Sequence, residues 1–89
     1  MKYIVKISKG FKKSFKKLSI GDKELTLQII ETLAQNKKLD ACHKDHKLKG
    51  EYEGLRECHI KPDLLLIYKI MDEKLILVCV SVGSHSELF

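Results

Sequence analysis

The stretch GLRECHIKPDLLLIYKIMDEKLILVCVSVG, residues 54–83, determines the fold of this 89-residue chain. Its first part, 54–60, alternates apolar and polar side chains, which is typical of a strand with one covered face. Segments 63–70 and 74–82 are almost continuously apolar, as expected for central strands that are covered on both faces. The short acidic turn 71–73 joins them, so the sequence predicts an antiparallel hairpin.

Outward from this stretch, the N-terminal residues predict a strand and a helix. Residues 2–7 alternate in polarity with Tyr3, Val5 and Ile7 on one face, which indicates a half-buried strand. Ser8 can cap the helix that follows, because its hydroxyl can accept a hydrogen bond from an unpaired amide of the first turn. The side chains that recur at helical spacing, and that we expect to face the core, are Phe11, Phe15 and Leu18.

A second helix is predicted to begin at Asp22, after Gly21 ends the first, and to extend to about Gln35. Its apolar face comprises Leu25, Ile29, Ile30, Leu33 and Ala34. Residues 36–52 are polar and rich in turn-forming residues, and a loop of this length often carries function. The order β-α-α-β-β-β predicts a single α+β domain over residues 1–89, with a small antiparallel-type sheet packed on two antiparallel helices.

Composition and cysteine usage restrict the class of protein. The longest apolar runs, 64–68 and 75–80, are far shorter than the roughly 20 residues that span a bilayer. Residues 1–20 carry lysines throughout and lack the apolar core of a signal peptide. Three cysteines without regular spacing form no disulfide framework. We therefore expect a cytoplasmic protein without a membrane partner.

Basic residues are concentrated near the N-terminus. The net charge is +5, but residues 1–23 hold eight lysines and one acid, whereas residues 24–89 hold nine basic and eleven acidic groups. A basic pole on a small protein suggests a polyanion or an acidic protein as partner. A solvated lysine face that only aids solubility explains the same pattern equally well.

Histidines gather at one end of the predicted sheet. His59 and Asp63 bracket a two-residue turn, so they lie at the ends of two adjacent strands. If the last strand is antiparallel to the strand before it, it returns His85 to the same edge, and the loop that holds His46 can fold over that edge. Imidazoles titrate near neutrality, so this group is suited to moving protons at pH 7.

Metal binding is the first competing interpretation. Cys42, His43 and His46 lie close together in the loop. However, Cys58 and His59 are consecutive on a strand and point to opposite faces, so they cannot complete a site together. The chain has no zinc-type spacing of cysteines and histidines and no glycine-rich phosphate loop. We therefore expect neither a metal nor a cofactor.

Histidines together with lysines are suited to cleavage of RNA without a metal. The ribose 2′-OH can attack its own phosphate, so the enzyme must supply a base, a cation for the phosphate charge and an acid for the 5′-oxygen. Histidine can serve as base or acid, and each such step contributes ~10²–10⁴-fold. The side chains that we expect to supply the positive field are Lys47, Lys49 and Arg56.

Four spaced blocks resemble one known family. They are DHKLKG at residues 45–50, GLRECHIKPD at 54–63, LIY at 66–68 and GSHSELF at 83–89. In this spacing they are similar to the YafQ-like branch of the RelE/ParE toxin superfamily. The predicted order of elements agrees with its RelE-like, microbial-RNase-like fold, although the N-terminal helices match only in pattern.

The resemblance implies a ribosome-dependent mRNA interferase that a cognate antitoxin holds inactive, and the basic pole suggests that this antitoxin is acidic. Matched position by position, the catalytic residues of the family correspond to His46, His59, Asp63 and His85, and its terminal aromatic residue corresponds to Phe89. We expect His85 to be the general acid. His46 or His59, together with Asp63, is the expected base side, and Asp63 can equally act by orienting a histidine.

Two positions depart from the family pattern. Ser81 stands where YafQ toxins have an arginine, which removes a cation that would stabilise the phosphate. Leu64 stands where relatives can carry tryptophan, which removes a base-stacking contact. Simpler roles also stay open: Asp63 as a turn cap, Arg56 as the partner of a neighbouring acid and Phe89 as an anchor of the tail.

Two other functions are compatible with the sequence. A ParE-like toxin shares this fold but binds a protein target such as DNA gyrase, and it would not need the histidines. A non-catalytic nucleic-acid-binding module would use the lysines of the first helix and would bind in a salt-sensitive manner. Loss of function on removal of the histidines therefore separates the nuclease from both alternatives.

Overall fold

A computed structural model describes residues 2–89 and contains a five-stranded sheet with three helices. The strands are β1 (Ile4–Ile7), β2 (His46–Lys47), β3 (Arg56–Lys61), β4 (Leu64–Met71) and β5 (Ile76–Gly83). The helices are α1 (Lys9–Lys16), α2 (Ile20–Ala34) and α3 (His85–Leu88). None of the helices between residues 2 and 89 is long and apolar enough to cross a membrane.

The strand pairing confirms the predicted α+β fold. The sheet order is β1-β5-β4-β3-β2, with β1 parallel to β5 and all other neighbours antiparallel. The predicted hairpin of β4 and β5 is therefore confirmed. Two elements are additional: β2 forms inside the predicted long loop, where it pairs with β3, and α3 forms in the short segment that follows β5.

Serine hydroxyls determine where the helices begin. Ser8 accepts a hydrogen bond from the amide of Phe11 at 3.0 Å, which confirms the predicted cap of α1. The predicted start of α2 is wrong, because Gly21 lies in its first turn rather than between the helices. Ser19 caps α2 instead, by accepting from the amide of Asp22 at 3.1 Å.

β1 is more exposed than its alternating sequence predicts. Val5 and Ile7 are 41% and 52% exposed, because β1 lies at the edge of the sheet. Of the predicted apolar face, Tyr3 is buried, and its amide donates to the last carbonyl of α2 at 2.6 Å. On α2, Leu25 is exposed as well, and the neighbouring Thr26 takes the buried position.

The core lies between the first two helices and one face of the sheet. α1 contributes Phe11, against which Phe15 and Leu18 are packed, so the predicted apolar stripe is confirmed. Cys58 and Cys79 are fully buried in the same core, where they pack as small apolar side chains. Burial raises the pKa of the Cys58 thiol to about 12 and that of Cys79 to about 11.

Candidate active site

Two rows of residues cross one face of the sheet. In the first row, His46 on β2 is opposite Glu57 on β3, which is followed by Ile67 on β4 and Ser81 on β5. Directly opposed residues of antiparallel strands place their side chains on the same face. We call this side of the sheet, which bears His46, Glu57 and His59, the histidine face.

The second row begins at His59. This residue is opposite Leu65 on β4, which is itself opposite Gly83 on β5. Because neighbouring strands are ~4.8 Å apart, the backbones of His59 and Gly83 are separated by about 10 Å. The end of β5 therefore lies near the start of β4, which Asp63 precedes. His85 follows β5, so it lies near the same edge, as the sequence predicts.

A β-bulge in β5 places Ser81 on the histidine face. Ile67 is opposite Ser81, but the next residue, Tyr68, is opposite Cys79, so Val80 is left without a partner in the register. One extra residue reverses the alternation of a strand, so Cys79 faces the core and Ser81 faces the histidines. The position at which the family pattern has an arginine therefore lies at the candidate site.

A backbone carbonyl determines the tautomer of His46. Its Nδ1 lies 2.6 Å from the carbonyl oxygen of Lys44. A carbonyl only accepts, so Nδ1 carries the hydrogen and donates it. Lys44 has a φ of 46°, a left-handed conformation that turns the chain at this point. The neutral ring of His46 therefore has a free lone pair on Nε2 and can accept a proton there.

Glu57 is a site residue that the sequence reasoning missed. Its Oε1 lies 3.7 Å from Nε2 of His46 and 3.7 Å from Nε2 of His59. Only 7% of the residue is exposed. The signal available in the sequence was the i, i+2 spacing of Glu57 and His59, which puts both side chains on one face of a strand.

Asp63 makes no comparable contact. It is exposed in the turn between β3 and β4, and within residues 2–89 no hydrogen bond or ion pair joins its carboxylate to a histidine. In the same region Lys61 pairs with Asp22 of α2 at 2.7 Å. The carboxylate that adjoins the imidazoles is that of Glu57.

His43 attaches the long loop to β3. The sequence suggested it only as a possible metal ligand, but its Nδ1 donates to the carbonyl oxygen of His59 at 2.6 Å. This residue belongs to a 3₁₀ turn, Ala41–His43, shortly before β2. The contact therefore ties the loop that leads to His46 to the strand that carries His59.

The C-terminal residues form a capped helical turn. Ser84 accepts from the amide of Glu87, and the Glu87 carboxylate accepts from the amide of Ser84 at 2.8 Å. These hydrogen bonds hold the pKa of the Glu87 carboxyl below its usual range. His85 is exposed, with its ring centroid 5.1 Å from that of Phe89. Phe89 also meets Tyr52 edge-on at 5.1 Å, so the tail contacts the connection between β2 and β3.

The predicted cationic residues line the opposite side of these strands. Lys47 and Arg56 form the next pair of the register after His46 and Glu57, so their side chains point to the other face of the sheet. Together with Lys49 they line a cavity of about 1050 Å³, to which none of the histidines contributes. Because β2 is an edge strand, an extended ligand that crosses this edge can still contact both faces.

Arg56 is engaged within the protein. Its Nη2 lies 3.3 Å from a carboxylate oxygen of Asp45. Its Nε donates to the hydroxyl of Tyr68 at 3.2 Å, and that hydroxyl donates to Asp45 at 2.5 Å. These contacts support the structural role that the sequence left open for Arg56, as the partner of a neighbouring acid.

A metal site was the competing interpretation of these residues. Within residues 2–89, no group of three or more histidine, cysteine, aspartate or glutamate side chains is arranged to hold a metal ion. Cys58 points into the core, as its position next to His59 predicts. It is therefore separated from the histidine face by the sheet itself.

Comparison with known proteins assigns the family. Residues 3–89 match the model of a family described as the bacterial toxin of type II toxin-antitoxin systems, YafQ. The chain belongs to the YafQ toxin family. The match covers nearly the whole chain, so it confirms the resemblance predicted from the four spaced blocks and extends it to the N-terminal helices.

Relatives of known name or structure agree with the YafQ assignment. The mRNA interferase toxin YafQ of Escherichia coli (strain K12) is 42% identical over 65 residues, which are 73% of this chain and 64% of that relative. The match thus spans less than two thirds of the length of this relative. A copper-bound mutant toxin from Helicobacter pylori is 41% identical over 100% of both chains, with a TM-score of 0.88. A chain of the Escherichia coli DinJ-YafQ toxin-antitoxin complex is 30% identical over 100% of this chain and 99% of that chain, with a TM-score of 0.85.

Proposed function

We propose that this protein is the toxin of a type II toxin–antitoxin system and acts as a metal-independent endoribonuclease on mRNA. The observation that carries the proposal is the histidine face, where His46 and His59 adjoin one carboxylate near the edge to which β5 returns His85. A YafQ relative that is named an mRNA interferase supports RNA as the substrate.

The proposed reaction is an attack of the ribose 2′-oxygen on the neighbouring phosphate. The bond from O2′ to phosphorus forms as the bond from phosphorus to O5′ breaks. A base takes the proton of the 2′-hydroxyl, and an acid gives a proton to the departing O5′. The products are a 2′,3′-cyclic phosphate and a free 5′-hydroxyl, so the atoms balance without a metal or a cofactor.

His46 is the residue best suited to act as the base. The Lys44 carbonyl holds its Nδ1–H, so the neutral ring presents the lone pair of Nε2. We assign His85, which is exposed in the first turn of α3, as the acid that protonates O5′. His59 and Asp63 complete the proposed catalytic set at the same edge, and the exposed carboxylate of Asp63 is accessible to RNA.

The cationic residues of the proposed RNA path lie around the edge strand. Lys47 and Lys49 are exposed, and Arg56 adds positive charge although Asp45 balances it. Phe89 is 45% exposed and can stack on a base near His85. Ser81 supplies no charge to the phosphate, so fewer cations stabilise the transition state, and this favours a substrate that the ribosome helps to position.

The proposed partners are mRNA, the ribosome and a cognate antitoxin. A structurally similar chain of Escherichia coli occurs in a complex that is described as a toxin-antitoxin complex of DinJ and YafQ. The net charge of +5 of this chain favours an acidic antitoxin. Because mRNA and ribosomes are found in the cytoplasm, we place the proposed activity there, without a membrane partner.

Cleavage of RNA by the wild type and by His85→Ala tests this function. Both proteins are incubated in EDTA with an mRNA oligonucleotide, either free or bound to programmed ribosomes. We expect the wild type to release fragments with a 5′-hydroxyl and His85→Ala to be at least ~100-fold slower, as for the loss of one acid step. Equal cleavage by both proteins removes His85 from the mechanism, and a requirement for Mg²⁺ overturns the metal-independent reaction.

Ser86→Ala is the matched control. Ser86 is exposed in the same helical turn, so its replacement perturbs α3 without removing an imidazole. A rate close to that of the wild type is expected. If the chain arrests bacterial growth but cuts no RNA, and arrest survives combined loss of His46, His59 and His85, a ParE-like protein-binding function replaces the nuclease.

A further inference from the structure

The side chain of Glu57 is more deeply buried in the candidate site than either imidazole. Its side chain is 9% exposed, whereas the side chains of His46 and His59 are 50% and 25% exposed. Its neighbour in the same row on β4 is Ile67, which is buried as well. A bound RNA would therefore meet the imidazoles, while the carboxylate lies against an apolar part of the sheet.

One carboxylate oxygen of Glu57 lies at the same distance from both rings. Oε1 is 3.7 Å from each of the two Nε2 atoms. Within residues 2–89, no lysine or arginine nitrogen lies within 4.0 Å of this carboxylate. A nearly buried carboxylate is costly to leave unpaired. Within the described residues, the imidazoles of His46 and His59 are therefore the ionisable nitrogen groups that lie within 4.0 Å of it.

The two imidazoles differ in how firmly they are held elsewhere. The ring of His46 is held on its other side by the Lys44 carbonyl. The backbone of His59 is held by His43, but within residues 2–89 its ring has no hydrogen-bond or ion-pair partner besides Glu57. Loss of the Glu57 charge would therefore release the ring of His59 and leave that of His46 attached at one nitrogen.

We propose that Glu57 is a positioning residue of the nuclease, which holds the imidazoles of His46 and His59 side by side without contacting RNA. This inference rests on the proposed function of the same site. The neutral ring of His59 can carry its hydrogen on Nε2 and direct it to Oε1. The charge of Glu57 attracts the imidazolium that His46 becomes when it takes the proton of the 2′-hydroxyl. Glu57 thus takes the histidine-orienting role that the sequence offered to Asp63.

Glu57→Gln tests this role, because the amide keeps the shape of the side chain and removes its charge. In steady-state cleavage of ribosome-bound mRNA, we expect kcat to fall at least ~10-fold, which is part of the ~10²–10⁴-fold effect of an acid or base step. KM should change by less than about twofold, since a residue that does not touch RNA contributes no uniform binding. An unchanged kcat, or a higher KM with kcat unchanged, overturns the proposal.

The same substitution in a His59→Ala background shows whether Glu57 acts through the imidazoles. Residues that act as a unit have non-additive effects. We expect Glu57→Gln to reduce kcat by a smaller factor in this background than in the wild type, and a fully additive effect contradicts the proposal. Glu73→Gln, an exposed acid after β4, is the control and should leave kcat unchanged.

Ring order in the wild type tests the proposal even if Glu57→Gln does not fold. ¹³C relaxation of the ring C–H groups of His46 and His59 should give order parameters close to the ~0.85 of a rigid backbone, and values below about 0.6 overturn the positioning role. Failure of the nuclease function is a distinct result, because the wild type and His85→Ala would then cleave equally. Failure of this inference alone leaves His85→Ala slow and Glu57→Gln as active as the wild type.

Discussion

At the scale of single residues, a buried hydroxyl connects the candidate site to the core. Tyr68 is fully buried in β4, and its hydroxyl donates to Asp45 while it accepts from Arg56. Burial, together with the adjacent carboxylate, raises the pKa of this phenol, so the hydroxyl stays protonated and continues to donate. Because Asp45 directly precedes His46, this contact holds the start of β2 against the sheet.

Removal of this hydroxyl should destabilise the fold. We expect Tyr68→Phe to lower the free energy of unfolding by roughly 1–3 kcal/mol, because Asp45 and Arg56 lose a buried partner. The midpoint of urea unfolding, followed by circular dichroism, measures the change. Tyr52→Phe is the matched control, since Tyr52 is 36% exposed and its hydroxyl has no hydrogen-bond partner within residues 2–89. Identical midpoints for Tyr68→Phe and the wild type would mean that the network adds no net stability.

At the scale of elements, α3 shows how a very short helix is stabilised by its cap. A helix of four residues gains little from propagation, so its reciprocal cap between Ser84 and Glu87 is its main local support. Gly83 adjoins this cap closely, because a Cβ at this position would lie 3.1 Å from Oε1 of Glu87. The end of β5 and the cap of α3 therefore form one unit that presents His85.

The tail helix should lose its cap at low pH. The folded pKa of Glu87 is lowered, chiefly by the hydrogen bond from the Ser84 amide, so its ionised form stabilises the cap. This stabilisation is fully present above the ordinary value of 4.5 and is lost as the pH falls through the lowered folded value. The NMR shift of the Ser84 amide, followed from roughly pH 6 to pH 3, should titrate over this window. Glu87→Gln should abolish the titration, and a wild-type amide that does not respond would disprove the link.

At the scale of the whole molecule, the lysine pole, which is the set of exposed lysines on α1, lies beside the strand that leads to His85 and far from the strand that carries His46. α1 packs on β5, which adjoins the β1 edge, whereas His46 lies on the opposite edge strand, β2. The exposed lysines of α1 and its C-cap are Lys9, Lys12, Lys13, Lys16 and Lys17. The charge of Lys17 acts on Glu87 of α3, in addition to the Ser84 hydrogen bonds that lower the pKa of that carboxyl. These lysines therefore adjoin the end of the candidate site that carries His85, whereas an RNA chain that also reached His46 would have to cross the sheet.

The lysine pole should contribute salt-dependent affinity for RNA. Replacing Lys12, Lys13, Lys16 and Lys17 with glutamine should reduce the slope of log K against log salt by up to ~3, because each phosphate contact of a single strand contributes about 0.7. Fluorescence anisotropy with the slow His85→Ala variant as parent measures binding while the RNA stays intact. An unchanged slope would instead support the interpretation that these lysines form a solvated face that only aids solubility.

The elements were predictable where periodicity and local chemistry agree. The apolar runs of β4 and β5, the cap at Ser8 and the buried face at Phe11 all follow from neighbouring residues. The start of α2 was wrong, because Gly21 is tolerated in a first turn once Ser19 supplies the cap. The burial of Val5 was wrong, because alternation does not reveal that a strand lies at the edge of a sheet.

The order of the amino acids alone predicted the family and the α+β fold, which are confirmed, and a cluster of histidines at one edge, since apolar periodicity and spaced motifs are local properties of the chain. Only the tertiary structure decided that Glu57, not Asp63, adjoins the imidazoles, and that Lys47 lines the other side of β2. It also decided that the bulge at Val80 turns Ser81 toward them. The physical reason is that strand register and side-chain alternation are set by pairing between distant segments, and a shift of one residue exchanges the two faces.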